Sequence, residues 1–120
     1  MKELIKSYST REILIFVVLK TAISEILAQN NKTGEILPDT ILSLNFGIHG
    51  KSALDIIRII EKRFGTKVSG EVMRFMEYVK LHNLVKYLYN IKFHHLIKPS
   101  KLSEKERKEM IYYLRKKKEN

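Results

Sequence analysis

The amino-acid sequence predicts an all-α fold built around one small hydrophobic core. Its 120 residues are 44% hydrophobic and include only five glycines and two prolines, a globular composition that favours helices. Apolar residues recur at helical spacing in several segments. Capping boxes, in which Ser is followed three residues later by Glu, occur at Ser9 with Glu12 and at Ser103 with Glu106. These three observations predict helices from one end of the chain to the other.

The first predicted helix begins near Thr10, after the Ser9 cap, and ends near Ala28, where the pattern gives way to "QNNKTG". Inside it, residues 13–19 read "ILIFVVL". A membrane span needs about 20 apolar residues, so this shorter run is interpreted as a core segment. A loop of about 20 residues follows over 29–50, a length that is usually functional or packed onto the core. Its apolar anchors are Ile36, Leu37, Ile41, Leu42, Leu44 and Phe46.

Three helices are predicted in the next part of the chain. The first covers residues 51–63, and Gly65 supplies its end. A short helix capped by Ser69 runs to about residue 76, and another covers residues 78–89, "YVKLHNLVKYLY". Together with the first helix, these segments predict a four-helix unit whose third helix is short.

A last helix is predicted from the Ser103 capping box to about Lys116, with a narrow apolar stripe that is sufficient for docking. We therefore expect a helical bundle over residues 1–90 and a basic C-terminal helical extension over residues 91–120. The chain shows no internal repeat.

The charge of the chain favours acidic partners. It carries 23 lysine and arginine residues against 13 aspartate and glutamate residues, a net charge of +10. Such an excess favours nucleic acid, anionic lipid or an acidic protein surface. The absence of cysteine excludes disulfides, thiolate metal sites and cysteine nucleophiles, and it predicts a cytoplasmic location.

One stretch of the sequence resembles a known family. "FGIHG" followed by "KSALDIIRIIEKRFG" contains a step of fourteen residues from Gly50 to Phe64, and "EILPDTILSLNFG" precedes it. Together with the later "YVKLHNLVKYL", these motifs resemble the acyl and peptidyl carrier proteins over residues 10–88. The resemblance implies a four-helix carrier bundle with a short third helix.

The resemblance also implies a site at the start of the helix over 51–63, where the family attaches phosphopantetheine to a serine. In the ungapped register that position is Gly50, which has no hydroxyl to modify. His49 occupies the preceding position, where the family has an acidic residue. We therefore expect no cofactor. The alternative is 4'-phosphopantetheine on Ser52, but that shift places Arg58 at a core position. Ser52 with Asp55 is better explained as a capping box.

Helix two of ordinary carriers is acidic, whereas the corresponding helix here is basic. The predicted partner-binding residues are Lys51, Arg58, Lys62 and Arg63. Because complementary potentials select partners, this helix predicts an acidic protein surface as partner. A hydrophobic acyl ligand held between the helices is the other expected partner.

Catalytic and metal-binding roles find little support in the sequence. His94 and His95 are adjacent, so their side chains diverge, and no third ligand at a recognised spacing accompanies them. His49 and His82 belong to no evident Ser/His/acid set and are interpreted as surface or structurally satisfied residues. We expect no metal site and no enzyme activity.

Nucleic-acid binding is a further alternative. The run "RKKK" at residues 115–118 could bind phosphates, and Tyr112 and Tyr113 could stack on bases. Glutamates dilute this charge, and basic residues at a helix end also complement the helix dipole. The sequence therefore favours nucleic acid less than a protein or acyl partner.

Overall fold

A computed structural model describes residues 2–65, 67–70, 76–90 and 101–118. The regular secondary structure of these residues is helical, apart from a single antiparallel bridge between Ile41 and Lys80. Within the described ranges, no helix is long and apolar enough to cross a membrane. The helices are α1 (Lys2–Ser7), α2 (Thr10–Gln29), α3 (Leu42–Phe46), α4 (Lys51–Phe64), α5 (Leu81–Asn90) and α6 (Glu104–Lys118).

Helix α2 is the central element of the fold. All seven residues of the "ILIFVVL" run, 13–19, are buried. A helix that is apolar around its whole circumference must be covered on every side, and α4, α5 and α6 all pack against α2. Helix α1 in turn packs against α6. The prediction that this run forms a core segment is confirmed.

The two Ser–Glu capping boxes start α2 and α6 as predicted. The Glu12 N–H donates to Ser9 Oγ at 3.2 Å, and the Ser9 N–H donates to Glu12 Oε1 at 2.8 Å. The same reciprocal pair joins Ser103 and Glu106, at 3.1 Å and 2.9 Å. Each box satisfies two backbone donors that a helix start would otherwise leave unpaired.

The segment between α2 and α4 contains the short helix α3. Ile36 and Leu42 are buried and anchor it as predicted, and Ile48 is a further buried anchor. The prediction is wrong for Leu44, whose side chain is 77% exposed. Residues two positions apart on a helix point about 200° away from each other, so burying Leu42 turns Leu44 outward.

Two parts of the chain differ from the prediction or lie outside the description. Helix α1 was not predicted, because six residues without a capping signal leave no periodic pattern; Ile5 and Tyr8 are buried and attach it to the core. Of the predicted short third helix, Gly70 and Met76 are helical, and residues 71–75 lie outside the described residues.

Helix α6 is joined to the rest of the molecule by partly buried polar contacts. The Arg63 guanidinium of α4 donates to both carboxylate oxygens of Glu106, at 2.8 Å and 2.7 Å. The Lys20 ammonium of α2 lies 2.9 Å from Glu109 and donates to the Tyr113 hydroxyl at 2.9 Å. These contacts connect α6 to two helices of the bundle.

Candidate functional site

The start of α4 is formed by Gly50, whose backbone adopts φ 59° and ψ −123°. This positive φ is one that residues with a side chain rarely adopt, so glycine is the residue suited to it. As the N-cap, Gly50 contributes no side-chain oxygen to the first-turn N–H groups of α4. The helix therefore presents its positive end next to Gly50.

An acidic side chain from another part of the chain lies at this helix start. The Gly50 N–H donates to Glu77 Oε1 at 2.8 Å, although the two residues are 27 positions apart. The Glu77 backbone carbonyl also accepts from the Ser43 N–H at 3.0 Å, which brings α3 beside the same segment. No local motif in the sequence signals Glu77, because its role depends on this tertiary contact.

Ser52 is the second residue of α4 and not its cap. Its hydroxyl accepts a hydrogen bond of 3.3 Å from the Asn30 side chain at the end of α2. The predicted capping box of Ser52 and Asp55 is wrong, because Gly50 is the N-cap and the helix begins at Lys51, one residue before Ser52. A capping residue must lie outside the helix it caps. The Asp55 carboxylate instead lies 4.0 Å from Arg58.

Replacing Ser52 with alanine should therefore cost less than about 0.5 kcal/mol, as is usual for surface positions. Replacing Ser9, a true cap, should cost about 1 kcal/mol. Urea unfolding of Ser52→Ala beside Ser9→Ala measures both free energies of unfolding on one scale. Equal losses for the two variants would show that Ser52 caps α4 in solution.

The exposed charges of α4 lie along one side of the helix. Lys51, Arg58 and Lys62 are exposed and fall within about 40° of one another, given 100° per residue. We call these three residues the α4 basic face. Asp55 lies on the same side and offsets part of the charge.

Arg63 does not belong to this face, which corrects its predicted role in partner binding. Its side chain is 24% exposed, and its guanidinium is held by both oxygens of the Glu106 carboxylate. The hydrogen bonds to Glu106 raise the pKa of Arg63 further above its already high value. Arg63 is thus a structural residue that binds α6.

Two exposed apolar side chains flank the start of α4. Leu44 of α3 is 77% exposed and Tyr78 is 67% exposed. Leu44 follows Ser43, whose N–H donates to the Glu77 carbonyl, and Tyr78 follows Glu77 itself. The Glu77 side chain in turn accepts from the Gly50 N–H. From the sequence, Leu44 was predicted only as a core anchor, and no role was predicted for Tyr78.

The remaining candidate residues occupy structural positions or lie outside the description. The His82 ring stacks on the buried Tyr8 ring at 5.6 Å, and its Nδ1 lies 2.9 Å from the Tyr8 hydroxyl. Burial, followed by the charge of Lys86, lowers the pKa of His82, so this ring is neutral at pH 7. His94 and His95 lie outside the described residues. In the part of the chain that is described, no three potential metal-binding side chains cluster.

The two tyrosines of α6 have different environments. Tyr113 packs edge-on against Phe16 with ring centroids 5.7 Å apart, and its hydroxyl accepts from Lys20. Tyr112 is 54% exposed. Tyr113 is therefore held in the fold, and the predicted pair of base-stacking tyrosines is reduced to Tyr112.

Comparison with known families agrees with this architecture. The family model described as phosphopantetheine attachment site matches residues 17–88, which is more than half of the chain. The matched region contains most of α2, all of α3 and α4, and nearly all of α5, and the start of α4 lies inside it. No curated protein and no solved structure matches the chain. The chain belongs to the phosphopantetheine attachment site family and is an acyl- or peptidyl-carrier-like protein with a helix on either side of the matched region.

Proposed function

We propose that this protein is a carrier-like module that has no phosphopantetheine arm and acts by binding another protein. The observation that carries the proposal is the identity of the residue at the start of α4. Gly50 is the N-cap of this helix and precedes Phe64, its buried last residue, by fourteen positions. The carrier family has its modified serine at this spacing, and glycine has no hydroxyl that can form the phosphodiester.

The backbone at Gly50 supports the same proposal. A Cβ added at this position would meet open space, so packing alone does not exclude serine. The positive φ of 59° does disfavour it, because side-chain-bearing residues in such regions cost about 1–3 kcal/mol. The start of α4 is therefore adapted to glycine in conformation as well as in chemistry.

The α4 basic face supports an acidic protein surface as the partner. Lys51, Arg58 and Lys62 provide three exposed positive charges beside one partly exposed acid, Asp55. Opposite potentials accelerate encounter and exclude partners of the wrong charge. Leu44 and Tyr78, exposed near the same helix start, would add apolar contact area to such an interface.

A working carrier with its arm on Ser52 is the second candidate. Family membership favours a carrier function, and Ser52 provides a partly exposed hydroxyl in the first turn of α4. The position of Ser52 argues against this candidate, because Ser52 lies about 200° around the helix from Gly50, the position that matches the family's serine. Its hydroxyl also lies within hydrogen-bonding distance of Asn30, at 3.3 Å.

Intact-mass measurement distinguishes the two candidates. The protein is incubated with coenzyme A, magnesium and a broad-specificity phosphopantetheinyl transferase, with an ordinary carrier protein in the same tube as a positive control. We expect the control to gain one phosphopantetheine group and this protein to keep its mass. A gain that disappears in Ser52→Ala would instead establish Ser52 as the attachment site and overturn the proposal.

A further inference from the structure

A cleft of about 400 Å³ lies between α1, the segment 35–38 and α6. It shares no lining residue with the start of α4 or with the α4 basic face. Six of its eleven lining residues lie outside the family match at 17–88, on α1 and α6. The cleft therefore forms where the helices outside the match pack on the carrier bundle.

One part of the cleft is apolar. Ile5 and Ile36 are almost completely buried beneath it, and Leu37 and Pro38 continue the same surface. The Tyr112 and Tyr113 rings of α6 also line the cleft. Such a lining binds hydrocarbon by removing it from water, at about 0.8 kcal/mol for each buried methylene group.

The other part of the cleft is cationic. Lys6, Lys20 and Lys116 line it, together with the acids Glu35 and Glu109, which leaves a net positive charge. The charge of Glu109 is already paired with Lys20 at 2.9 Å. An anionic group entering the cleft thus meets an excess of ammonium groups.

Lys20, which lines the cleft, is held in a fixed position. Its ammonium donates to the Tyr113 hydroxyl and pairs with Glu109, which uses two of its three N–H bonds. Burial lowers the pKa of Lys20, but the hydrogen bonds to Tyr113 and Glu109 outweigh burial and raise it, so the group stays charged at neutral pH. Because this charged donor is already fixed, it loses little conformational entropy when a ligand binds.

We propose that this cleft binds a small carboxylate with a linear apolar tail, the tail against Ile36, Leu37 and Pro38 and the carboxylate at the lysine ammonium groups. The cleft volume is near the lower end of the range for small-molecule sites, about 300–1,000 Å³, which favours a medium-chain carboxylate over a long one. Binding in this cleft does not require a phosphopantetheine arm on Ser52.

Titration of the full-length protein with octanoate, followed by backbone-amide NMR, tests the proposal. We expect saturable shifts centred on residues that line the cleft, with a Kd of about 1 mM or tighter. Octylammonium has the same tail and the opposite charge, and it should bind at least about tenfold more weakly, a difference of about 1.4 kcal/mol. A series from hexanoate to palmitate should show an optimum at medium length.

Two variants and one matched control connect the binding to the cleft. Lys6→Gln removes a cleft charge and should weaken octanoate binding about threefold or more, whereas Lys105→Gln, an exposed lysine of α6 outside the cleft, should not change it. Leu37→Trp fills the apolar part and should abolish binding. Equal affinity for octanoate and octylammonium, shifts centred elsewhere, or unchanged binding by Lys6→Gln would each overturn the proposal.

Discussion

Replacing Glu106 with alanine is expected to destabilise the protein by about 3–5 kcal/mol, the usual cost of removing one partner of a buried ion pair. Glu106 is fully buried, and its carboxylate accepts two hydrogen bonds from the Arg63 guanidinium and one from the Ser103 N–H. The substitution leaves the partly buried Arg63 charge without its partner and removes half of the α6 capping box.

Denaturation with guanidinium chloride measures how much the Glu106–Arg63 ion pair contributes to stability. The variants to compare are Glu106→Ala, Arg63→Ala and the double variant. Because the two groups act as a pair, the double variant should lose clearly less stability than the sum of the single variants. Glu104→Ala is the matched control, in the same helical turn but with an exposed carboxylate 3.5 Å from Lys108, and it should cost less than about 0.5 kcal/mol. Additive losses at Glu106 and Arg63 would contradict the pairing.

The same ion pair should appear in the pH dependence of stability. Burial alone would raise the pKa of Glu106, but the hydrogen bonds from Arg63 and Ser103 outweigh burial and lower it. A carboxylate with a lowered folded pKa stabilises the protein above its unfolded pKa of about 4.3 and loses that contribution as the pH falls further. The free energy of unfolding, measured from pH 7 down to pH 3, should therefore fall more steeply for the natural protein than for Glu106→Ala.

Features encoded by neighbouring residues could be predicted from the sequence. The Ser9 capping box starts α2, and the apolar run at residues 13–19 is buried on all sides. Gly65 ends α4 in the left-handed conformation that glycine favours. In each case the structural cause lies within a few positions of its effect, so periodicity and capping chemistry identify it.

The start of α4 shows why local patterns can fail. The Ser-x-x-Asp pattern beginning at Ser52 is a valid capping signal, yet the helix begins at Lys51, directly after Gly50, whose backbone has a positive φ. That conformation accompanies a hydrogen bond to Glu77, which lies 27 positions away. A single sequence contains the glycine but not the contact that selects its conformation.

Arg63 illustrates the same limit for charge. From the sequence it is one of several basic residues on α4, with nothing to distinguish it from Lys62. In the structure it faces Glu106, 43 positions later in the chain, and its charge is paired within the fold. Which charges are exposed therefore depends on tertiary packing. Lys51, Arg58 and Lys62 are exposed, and their role in partner binding stays a prediction.

A chain of residues 1–90, which lacks α6, is expected to lose its cooperative folding. Without α6, Phe16 loses the Tyr113 ring and Lys20 loses Glu109. Arg63 also loses Glu106. The larger loss is hydrophobic, because removing α6 exposes apolar surface of α2 to water, and small domains have only about 5–15 kcal/mol of total stability. The exposed side of α2 should also bind a hydrophobic dye, as loosely packed helical states do.

Thermal unfolding by circular dichroism and calorimetry tests this expectation, with a chain of residues 1–118 as the control that keeps α6 whole. The family match ends at residue 88, so a helix beyond it could be a separate addition or a required part of the core. If residues 1–90 unfold cooperatively within about 1 kcal/mol of the full chain, the extension is an independent appendage and the bundle ends near residue 90. Loss of cooperativity instead means that the apolar surface of α2, buried on all sides, needs α6 to cover it.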